Sequence, residues 1–286
     1  KVARRSQVNC GGGKTWWGTW LTCEEHSSGQ VWEVAPDGSF TETETMLGGS
    51  GGKFESAAYY LPDINGDEVP TFYVTEDSSN GAFRRWTPTQ SVWDAARNTQ
   101  NYRPLLTDPN GELMYLKLNG GFASGTFSWI TSKSTAQSDA STYYANSEGI
   151  DIVNGKAYIT AKSPKVLLIL DLVQMTYERS STVSGAFEQQ PDQIKYLLNN
   201  DSDDDIVYFC EDGGDDSGVH GRDKNGNFYS ILDGPGHNGE TTGLDFSPDG
   251  LRMYVSFQSP ELIYEITRTD GYPFNGMRLD IKYHAV

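Results

Sequence analysis

The sequence has few cysteines, few positive charges and no long apolar segment, and each shortage excludes a class of protein. Only three of its 286 residues are cysteines, an odd number too small for a dense disulfide framework. Its 22 Lys and Arg stand against 39 Asp and Glu, a net charge of −17 that disfavours nucleic acid and anionic membranes as main partners. The longest strongly apolar run, Val166 to Leu170, is far shorter than the roughly 20 residues of a membrane-spanning helix. We therefore expect no nucleic-acid partner and no membrane insertion.

The sequence also lacks a recognisable targeting segment. No apolar stretch follows Lys1-Val2-Ala3-Arg4-Arg5, so no signal peptide is visible, as in a mature or trimmed product. The triplet Asn200-Asp201-Ser202 is a glycosylation sequon, a pattern that also arises by chance. These residues leave the compartment open between secretion and an organelle.

What the sequence does contain favours a folded β protein. Hydrophobic residues make up 36% of the chain, and 7 Trp, 16 Tyr and 12 Phe can bury large areas, which excludes general disorder. The 31 Gly and 12 Pro residues indicate many tight turns. The length allows one large β domain or two ordinary domains.

A short strand-like unit recurs five times along the chain. The units are centred on residues 23, 75, 160, 210 and 256, so the steps between them are 52, 85, 50 and 46 residues. All steps but the long one match a propeller blade of about 40–50 residues. Hairpin turns such as Asn154-Gly155 and Pro248-Asp249-Gly250 precede two of the units. The units are Leu21–Glu25, Tyr73–Asp77, Tyr158–Lys162, Tyr208–Asp212 and Tyr254–Gln258.

This repeat predicts an all-β fold, a single β-propeller domain over residues 1–286 with five or six blades and loop insertions. The long step holds either an insertion or an extra blade around residues 88–145. Within it we expect one short helix over Gln90 to Asn98, strands over Leu113–Leu118 and Thr126–Thr131, and a loop from Ser132 to Ser141. A β-sandwich with fortuitous repeats is the alternative.

Acidic residues fall at corresponding places in most of the repeats. In an antiparallel hairpin the start of one strand lies beside the end of the next, so these residues would meet at one mouth of the propeller channel. Carboxylates gathered there repel unless cations or protons compensate them. Carboxylate oxygens suit Ca²⁺, and a thiolate among them suits iron. The predicted metal ligands are Cys10, Glu24, Glu25, Glu55, Glu76, Asp77, Glu148, Asp192, Glu211 and Glu240.

Each of these residues has a less specific interpretation, in which it is a solvated charge at a strand end. Cys23 and Cys210 come one residue before acids and are interpreted as buried small hydrophobic residues. Gly11-Gly12-Gly13 is interpreted as a turn, and Trp16, Trp17 and Trp20 as blade packing rather than a sugar platform. The four histidines show no metal spacing, although His220 and His237 are placed on loops near the channel.

The opening segment carries a family likeness. Asn9-Cys10-Gly11-Gly12-Gly13, followed by Trp17-Gly18-Thr19-Trp20-Leu21-Thr22-Cys23-Glu24-Glu25, resembles the first motif of the PhoX-type alkaline phosphatases. Further segments are similar in order along most of the chain. They are Val74–Asp77, Asn146–Gly149, Gln190–Ile194, Cys210–Asp212 and Phe246–Gly250.

The resemblance implies a β-propeller that carries several Ca²⁺ and a pair of Fe³⁺ ions and hydrolyses phosphomonoesters outside the cytoplasm, in the periplasm or after secretion. It implies that Cys10 binds iron and that the acids named above bind metal, with Glu148 and Lys14 joining Cys10 as catalytic candidates. Two departures stand out: Asn146 replaces an Arg that would clamp phosphate, and Phe54 replaces a His. Lys14, Lys53 or Lys162 could supply the missing positive charge.

Three functions follow as hypotheses. The first is a metal-dependent phosphomonoesterase acting on a small phosphorylated substrate, with cations that neutralise developing charge and activate water. The second is a non-catalytic, Ca²⁺-stabilised propeller that serves in binding or assembly. The third is another propeller hydrolase, such as a lactonase or phosphodiesterase with one Ca²⁺. Metal binding is better supported than phosphatase activity, because the phosphate-clamping Arg is missing.

Overall fold

The computed structural model describes residues 5–183, 187–197, 205–214, 216–232, 239–259, 261–274 and 282–283. The chain forms two compact units, residues 1–157 with 169–178 and residues 158–168 with 179–286. About half of the structure is strand and one tenth is helix, with antiparallel sheets, which confirms the predicted all-β class.

The described residues contain twenty-one strands, two α-helices and one short 3₁₀ helix. The strands are β1 (Asn9–Lys14), β2 (Trp20–Gly29), β3 (Val31–Val34), β4 (Thr43–Glu44), β5 (Gly52–Tyr60), β6 (Thr71–Glu76), β7 (Arg84–Thr87), β8 (Glu112–Gly120), β9 (Ser124–Ile130), β10 (Ser147–Val153), β11 (Lys156–Ala161), β12 (Val166–Asp171), β13 (Thr176–Ser181), β14 (Gln190–Leu197), β15 (Ile206–Asp212), β16 (Val219–Asp223), β17 (Phe228–Leu232), β18 (Thr241–Phe246), β19 (Met253–Phe257), β20 (Leu262–Ile266) and β21 (Lys282–Tyr283). The helices are α1 (Gln90–Thr99), α2 (Lys133–Tyr143) and the 3₁₀ helix Arg103–Leu106.

In the first unit, antiparallel pairing runs from the start of β13 through β9, β8, β7, β6, β5, β2 and β3 to β4. β1 also pairs with β2, and the two form a hairpin closed by a turn at residues 15–19 in which Gly18 has a φ of 87°. Apolar side chains of β2, β3, β5 and β6 alternate into a core with Trp86 and the residues of α1.

The glycine run at the start of the chain forms a strand and not the expected turn. A Cβ on Gly13 would lie 1.8 Å from the carbonyl oxygen of Ala57, and one on Gly12 would lie 2.1 Å from that of Leu21. Only glycine therefore lets β1 pack its backbone this closely on β5 and β2. The run matters for packing and not for chain reversal.

The tryptophans after β1 belong to an aromatic cluster. The Trp16 ring contacts the rings of Trp17, Phe72 and Tyr102 at centroid distances of 4.5, 5.9 and 5.4 Å. Trp93 of α1 joins the same group at 6.4 Å. Such contacts add to the area that the rings bury. The expected packing role thus fits Trp16; the Trp17 ring also packs on the cluster, although it is only half-buried.

The segment over residues 88–145 contains one helix that was expected and one that was not. α1 ends one residue beyond the prediction, at Thr99. The loop expected from Ser132 to Ser141 is wrong, because α2 occupies residues 133–143. Ser132 caps this helix by accepting the N–H of Thr135, and Asp139 holds Lys117 of β8 at 2.8 Å. The helix is largely polar and has only a weak apolar stripe, so the hydrophobic periodicity of its sequence did not predict a helix.

In the second unit, β14, β15, β16, β17 and β21 form one antiparallel sheet and β18, β19 and β20 another. Their core includes Tyr208, Val219, Phe246, Met253 and Val255. His220 lies on β16 and is buried, so its expected position on a loop is wrong. His237 lies outside the described residues.

Neither of the described α-helices has both the length and the apolar character that crossing a membrane requires.

Candidate functional site

The first strands of several repeats share an irregularity where the predicted ligands lie. The pairing register shifts between Asn9 and Gly12 in β1, and between Phe54 and Ala57 in β5. Cys10 and Glu55 fall inside these two shifts. A β-bulge bends the strand and re-aims a side chain, so the bulges set the direction of both residues.

Cys10, Glu25 and Glu55 form a cluster in the first unit. The Cys10 Sγ lies 2.7 Å from Glu55 Oε1, and one ligand atom of each residue lies within 4.8 Å of the others. Cys10 is exposed, Glu25 is half-buried and Glu55 is 2% exposed. The cluster therefore runs from an exposed residue to a buried one, with Cys10 at its exposed end.

Glu148, at the start of β10, extends this cluster. One of its carboxylate oxygens lies within 4.8 Å of an oxygen of Glu55, and its side chain is buried. The backbone beneath is fixed by Thr75 of β6, whose hydroxyl donates to the Glu148 carbonyl and accepts the Ser56 N–H at 3.0 Å. Thr75 is the central residue of the second repeat, so one hydroxyl connects two strands that carry predicted ligands.

Cys23 occupies the corresponding central position of the first repeat and is fully buried. Burial raises the pKa of its thiol well above the ordinary 9.0, and the Glu55 carboxylate raises it further. The thiol therefore stays protonated near neutral pH, in accord with the prediction that Cys23 packs as a small hydrophobic residue.

Two of the predicted ligands have protein donors of their own. Glu24 accepts the backbone N–H groups of Gln7 and Gln30, both at 2.8 Å. Glu76 accepts the buried guanidinium of Arg84 at 3.1 Å. Protein groups already provide charge or hydrogen bonds to both acids, so the fold accounts for their burial without a cation.

The remaining candidates of the first unit lie apart from the cluster or beside it. Asp77 Oδ1 accepts the side-chain amide of Asn146 at 2.6 Å. Lys14 lies four residues from Cys10 at the other end of β1, about 13 Å along an extended strand. Lys53 is exposed on β5 and pairs with Glu25 in the sheet register. The structure brings Cys10, Glu25, Glu55 and Glu148 together, and it does not bring Lys14 to them.

The second unit repeats the pattern with different partners. Asp192 is buried inside a register shift of β14, and its carbonyl accepts the hydroxyl of Thr160. Burial, then Asp192 and Glu240, raise the pKa of the Cys210 thiol. Glu211 accepts the N–H groups of Glu188 and Gln189 at 3.1 and 3.0 Å.

Two further side chains of the second unit lie against the acids at the end of β15. His220 Nε2 lies 3.3 Å from Glu211 Oε2, and both residues are buried. Lys162, one of the expected point charges, lies 2.7 Å from Asp212. Glu211 is therefore held by protein donors in the same way as Glu24 and Glu76.

Sequence reasoning missed three features that organise the candidate site. They are the bulges, the bridging hydroxyls of Thr75 and Thr160, and the Arg84 guanidinium beside Glu76. The threonines carried a signal, since they stand at the central positions of the second and third repeats. The bulges carried none, because a register shift depends on the partner strand.

Comparison with known proteins adds evidence on the fold. No protein-family model matches the chain, and no curated protein matches it. A solved structure of a nidogen/laminin complex aligns over 98% of this chain and 81% of its own, with 9% identity and a TM-score of 0.55. That neighbour is a propeller. This chain has a β-propeller fold.

Two other solved structures align with lower scores. A streptogramin B lyase covers 94% of this chain and 71% of its own, with 11% identity and a TM-score of 0.49. A protein of unknown function from Bacteroides caccae covers 96% and 81%, with 8% identity and a TM-score of 0.47. The predicted propeller class is thus confirmed by the nidogen likeness, and at such identities the comparisons speak of fold alone.

Proposed function

We propose that this propeller is a metal-dependent phosphomonoesterase of the PhoX type, with a metal centre held by Cys10, Glu25, Glu55 and Glu148. The observation that carries the proposal is the meeting of a thiol and carboxylates within 4.8 Å at a partly exposed place. Three acids and a thiol at this spacing repel one another when ionised, and a cation would remove that cost.

The donor set fits the metals that the sequence resemblance implies. Carboxylate oxygens such as those of Glu25, Glu55 and Glu148 suit Ca²⁺, and the thiolate of Cys10 would add a soft donor that suits iron. When bound, such cations supply Lewis-acid stabilisation of the charge on a phosphoryl group.

The residues of the chain have separate tasks in this proposal. A bulge shapes the backbone at Glu55, and the Thr75 hydroxyl holds the backbone carbonyl of Glu148, so the strand positions that carry both carboxylates are set by the fold. Cys10 is exposed and forms the open edge where a phosphate ester would enter. Lys53 is the nearest of the expected point charges along the chain, two residues from Glu55, and would attract the anionic substrate.

The test compares metal content and activity in matched variants. The chain loaded with Ca²⁺ and iron should retain bound metal after gel filtration, by elemental analysis, and release phosphate from an aryl phosphate. Cys10→Ala and Glu25→Gln should lose metal and activity, while Glu44→Gln, an exposed acid of β4 outside the cluster, should keep both. Full activity after chelation, or in Cys10→Ala, would contradict the proposal.

Thiol alkylation gives a second readout that needs no turnover. Cys10 is exposed, whereas Cys23 and Cys210 are buried, so native chelated protein should be alkylated at Cys10 alone. Loading with metal should protect Cys10, as seen by mass spectrometry. Equal alkylation of Cys10 with and without metal would show that the thiol is not a ligand.

One observation favours a second candidate, a non-catalytic propeller stabilised by Ca²⁺. Asn146 stands where the resembling enzymes have a phosphate-clamping Arg, and its amide is bonded to Asp77 at 2.6 Å. A neutral amide cannot provide the bidentate charged contact of a guanidinium. A rise in melting temperature on adding Ca²⁺, with no phosphate release in any metal condition, would support this function over the first.

A further inference from the structure

A cavity of about 430 Å³ opens in the first unit, away from the Cys10 cluster. It lies by the turn that joins β1 to β2, whereas Cys10 and Glu25 lie at the other end of that hairpin. Its size is within the range of about 300–1,000 Å³ that is usual for small-molecule sites. The cavity is therefore separate from the proposed metal centre.

Aromatic rings form much of the cavity wall. Trp17, Phe40 and Tyr102 line it and are half-buried, so each has area left for a ligand. The Trp17 and Tyr102 rings lie 6.0 Å apart and belong to the aromatic cluster around Trp16. Flat rings held in this way offer apolar faces at little cost in conformational entropy.

A buried carboxylate holds the same wall in place. Glu33 is fully buried and accepts the indole N–H of Trp17, the hydroxyl of Thr19 and the Nε–H of Arg103, each at 2.9 Å. The Arg103 guanidinium lies over the Phe40 ring, 3.4 Å from its centroid. One anion thus fixes the rotamers of residues on two sides of the cavity.

The charges at the cavity disfavour an anionic ligand. The charge of Arg103 is compensated by Glu33, and the exposed carboxylate of Asp37 also lines the cavity. The remaining polar lining is neutral and includes Thr19, Ser39, Gln100 and Asn101. Amides donate and accept hydrogen bonds, and Asp37 accepts them, so the polar edge suits hydroxyl groups.

Gln100 adds an independent observation. It ends α1 in the left-handed conformation, with a φ of 54°, where glycine is the favoured residue. A long side chain there is strained, and such strain is commonly kept where it places a functional group. Here it places a side-chain amide at the cavity.

We propose that this cavity binds a neutral saccharide. A pyranose ring presents C–H groups on its faces, which pack on aromatic rings, and hydroxyls around its edge, which bond to amides and carboxylates. Trp17 and Tyr102 supply the apolar faces, and Asp37, Gln100 and Asn101 supply the polar edge.

The test screens neutral methyl glycosides and neutral oligosaccharides by saturation-transfer NMR, with inorganic phosphate as the anionic probe, and measures affinity by calorimetry. Asn101→Ala and Gln100→Gly should each weaken the best saccharide about fivefold to tenfold, as expected for one lost hydrogen bond. Asn98→Ala changes an exposed asparagine of the same helix outside the cavity and should leave affinity unchanged.

Thermal melts show that each variant is folded at the assay temperature, and binding is measured in EDTA as well as in Ca²⁺, so that loss of the metal centre does not affect the result. Saccharide binding that is weakened by both cavity variants and not by Asn98→Ala supports the proposal. Absence of binding to every saccharide, equal affinity in all variants, or displacement of the saccharide by phosphate would overturn it.

Discussion

Glu33 and Glu55 are both buried carboxylates on strands that pair with β2, yet they lie beside different kinds of side chain. Glu33 is enclosed by hydrogen-bond donors from Trp17, Thr19 and Arg103. Glu55 is bonded to the Cys10 thiol, with carboxylates of Glu25 and Glu148 within 4.8 Å. Burial by itself therefore does not distinguish a candidate metal ligand from a structural carboxylate; the partners around the carboxylate do.

The comparison extends to the other acids of the repeats. Glu24, Glu76 and Glu211 resemble Glu33, since backbone N–H groups or cationic side chains hold them. Glu25 and Glu148 belong with Glu55, since their carboxylates lie within 4.8 Å of it. The following predictions test this division.

The largest effect is expected where a protein cation is removed. Arg84→Met leaves the buried Glu76 carboxylate without its guanidinium, and this should lower the free energy of unfolding by about 3–5 kcal/mol. Urea denaturation with and without Ca²⁺ measures the loss, which should be the same in both. Arg97→Met, which breaks exposed pairs with Asp67 and Asp94, should cost far less. If added Ca²⁺ restored Arg84→Met, Glu76 would belong with Glu55.

A matched pair of substitutions tests the division directly. Glu33→Gln should lower the free energy of unfolding by about 1–3 kcal/mol in EDTA and in Ca²⁺ alike, because donors lose a charged acceptor. Glu55→Gln should cost little in EDTA, because it relieves like-charge repulsion. It should instead abolish the stabilisation by metal, about 2.7 kcal/mol at a hundredfold excess over the dissociation constant. Equal metal responses of the two variants in chemical denaturation would remove the distinction.

Alkaline pH should lower the free energy of unfolding, because the buried thiol of Cys23, near Glu55, resists deprotonation in the folded protein. The folded protein raises the pKa of Cys23 above its unfolded value of 9.0, so this contribution to stability is complete below pH 9 and is lost as pH rises. Tyr73, whose pKa burial raises to about 12, acts in the same direction at higher pH. Cys23→Ala should make the fall less steep by up to about 1.4 kcal/mol per pH unit.

Denaturation curves between pH 8 and 11 would check this dependence, with Cys10→Ala as the control because Cys10 is exposed. Glu55→Gln should flatten the curve slightly, since Glu55 is the second cause of the shift after burial. The same slope in the wild type and in Cys23→Ala would refute the assignment to Cys23.

The smallest effect on stability is expected at Gln100, which lines the same cavity as Trp17 and Arg103, the partners of Glu33. Gln100→Gly should raise the free energy of unfolding by about 0.5–1 kcal/mol, because glycine adopts the left-handed conformation without strain. Asn98→Gly, inside the last turn of α1, should lower it. Thermal melts of the two variants should therefore shift in opposite directions, and a destabilised Gln100→Gly would argue against strain at this residue.

Much of the fold was predictable because local patterns carry it. Spaced strand units, hairpin turns and aromatic residues predicted the propeller, and α1 was placed to within one residue. The helix α2 was not predictable, since its polar residues depend on the cap at Ser132 and on the pairing of Asp139 with Lys117. The candidate cluster was predicted as part of a larger set, of which Cys10, Glu25, Glu55 and Glu148 meet in the first unit.

The sequence by itself determined that this is an acidic β-propeller chain with carboxylates at equivalent strand ends, because repeats and turn residues act locally. Only the tertiary structure decided which carboxylates lie against Arg or backbone N–H groups and which lie beside a thiol and other carboxylates. That choice depends on side chains far apart in sequence, such as Glu33 with Arg103 and Cys10 with Glu55. The surroundings of these carboxylates also depend on register shifts, which exist only between paired strands.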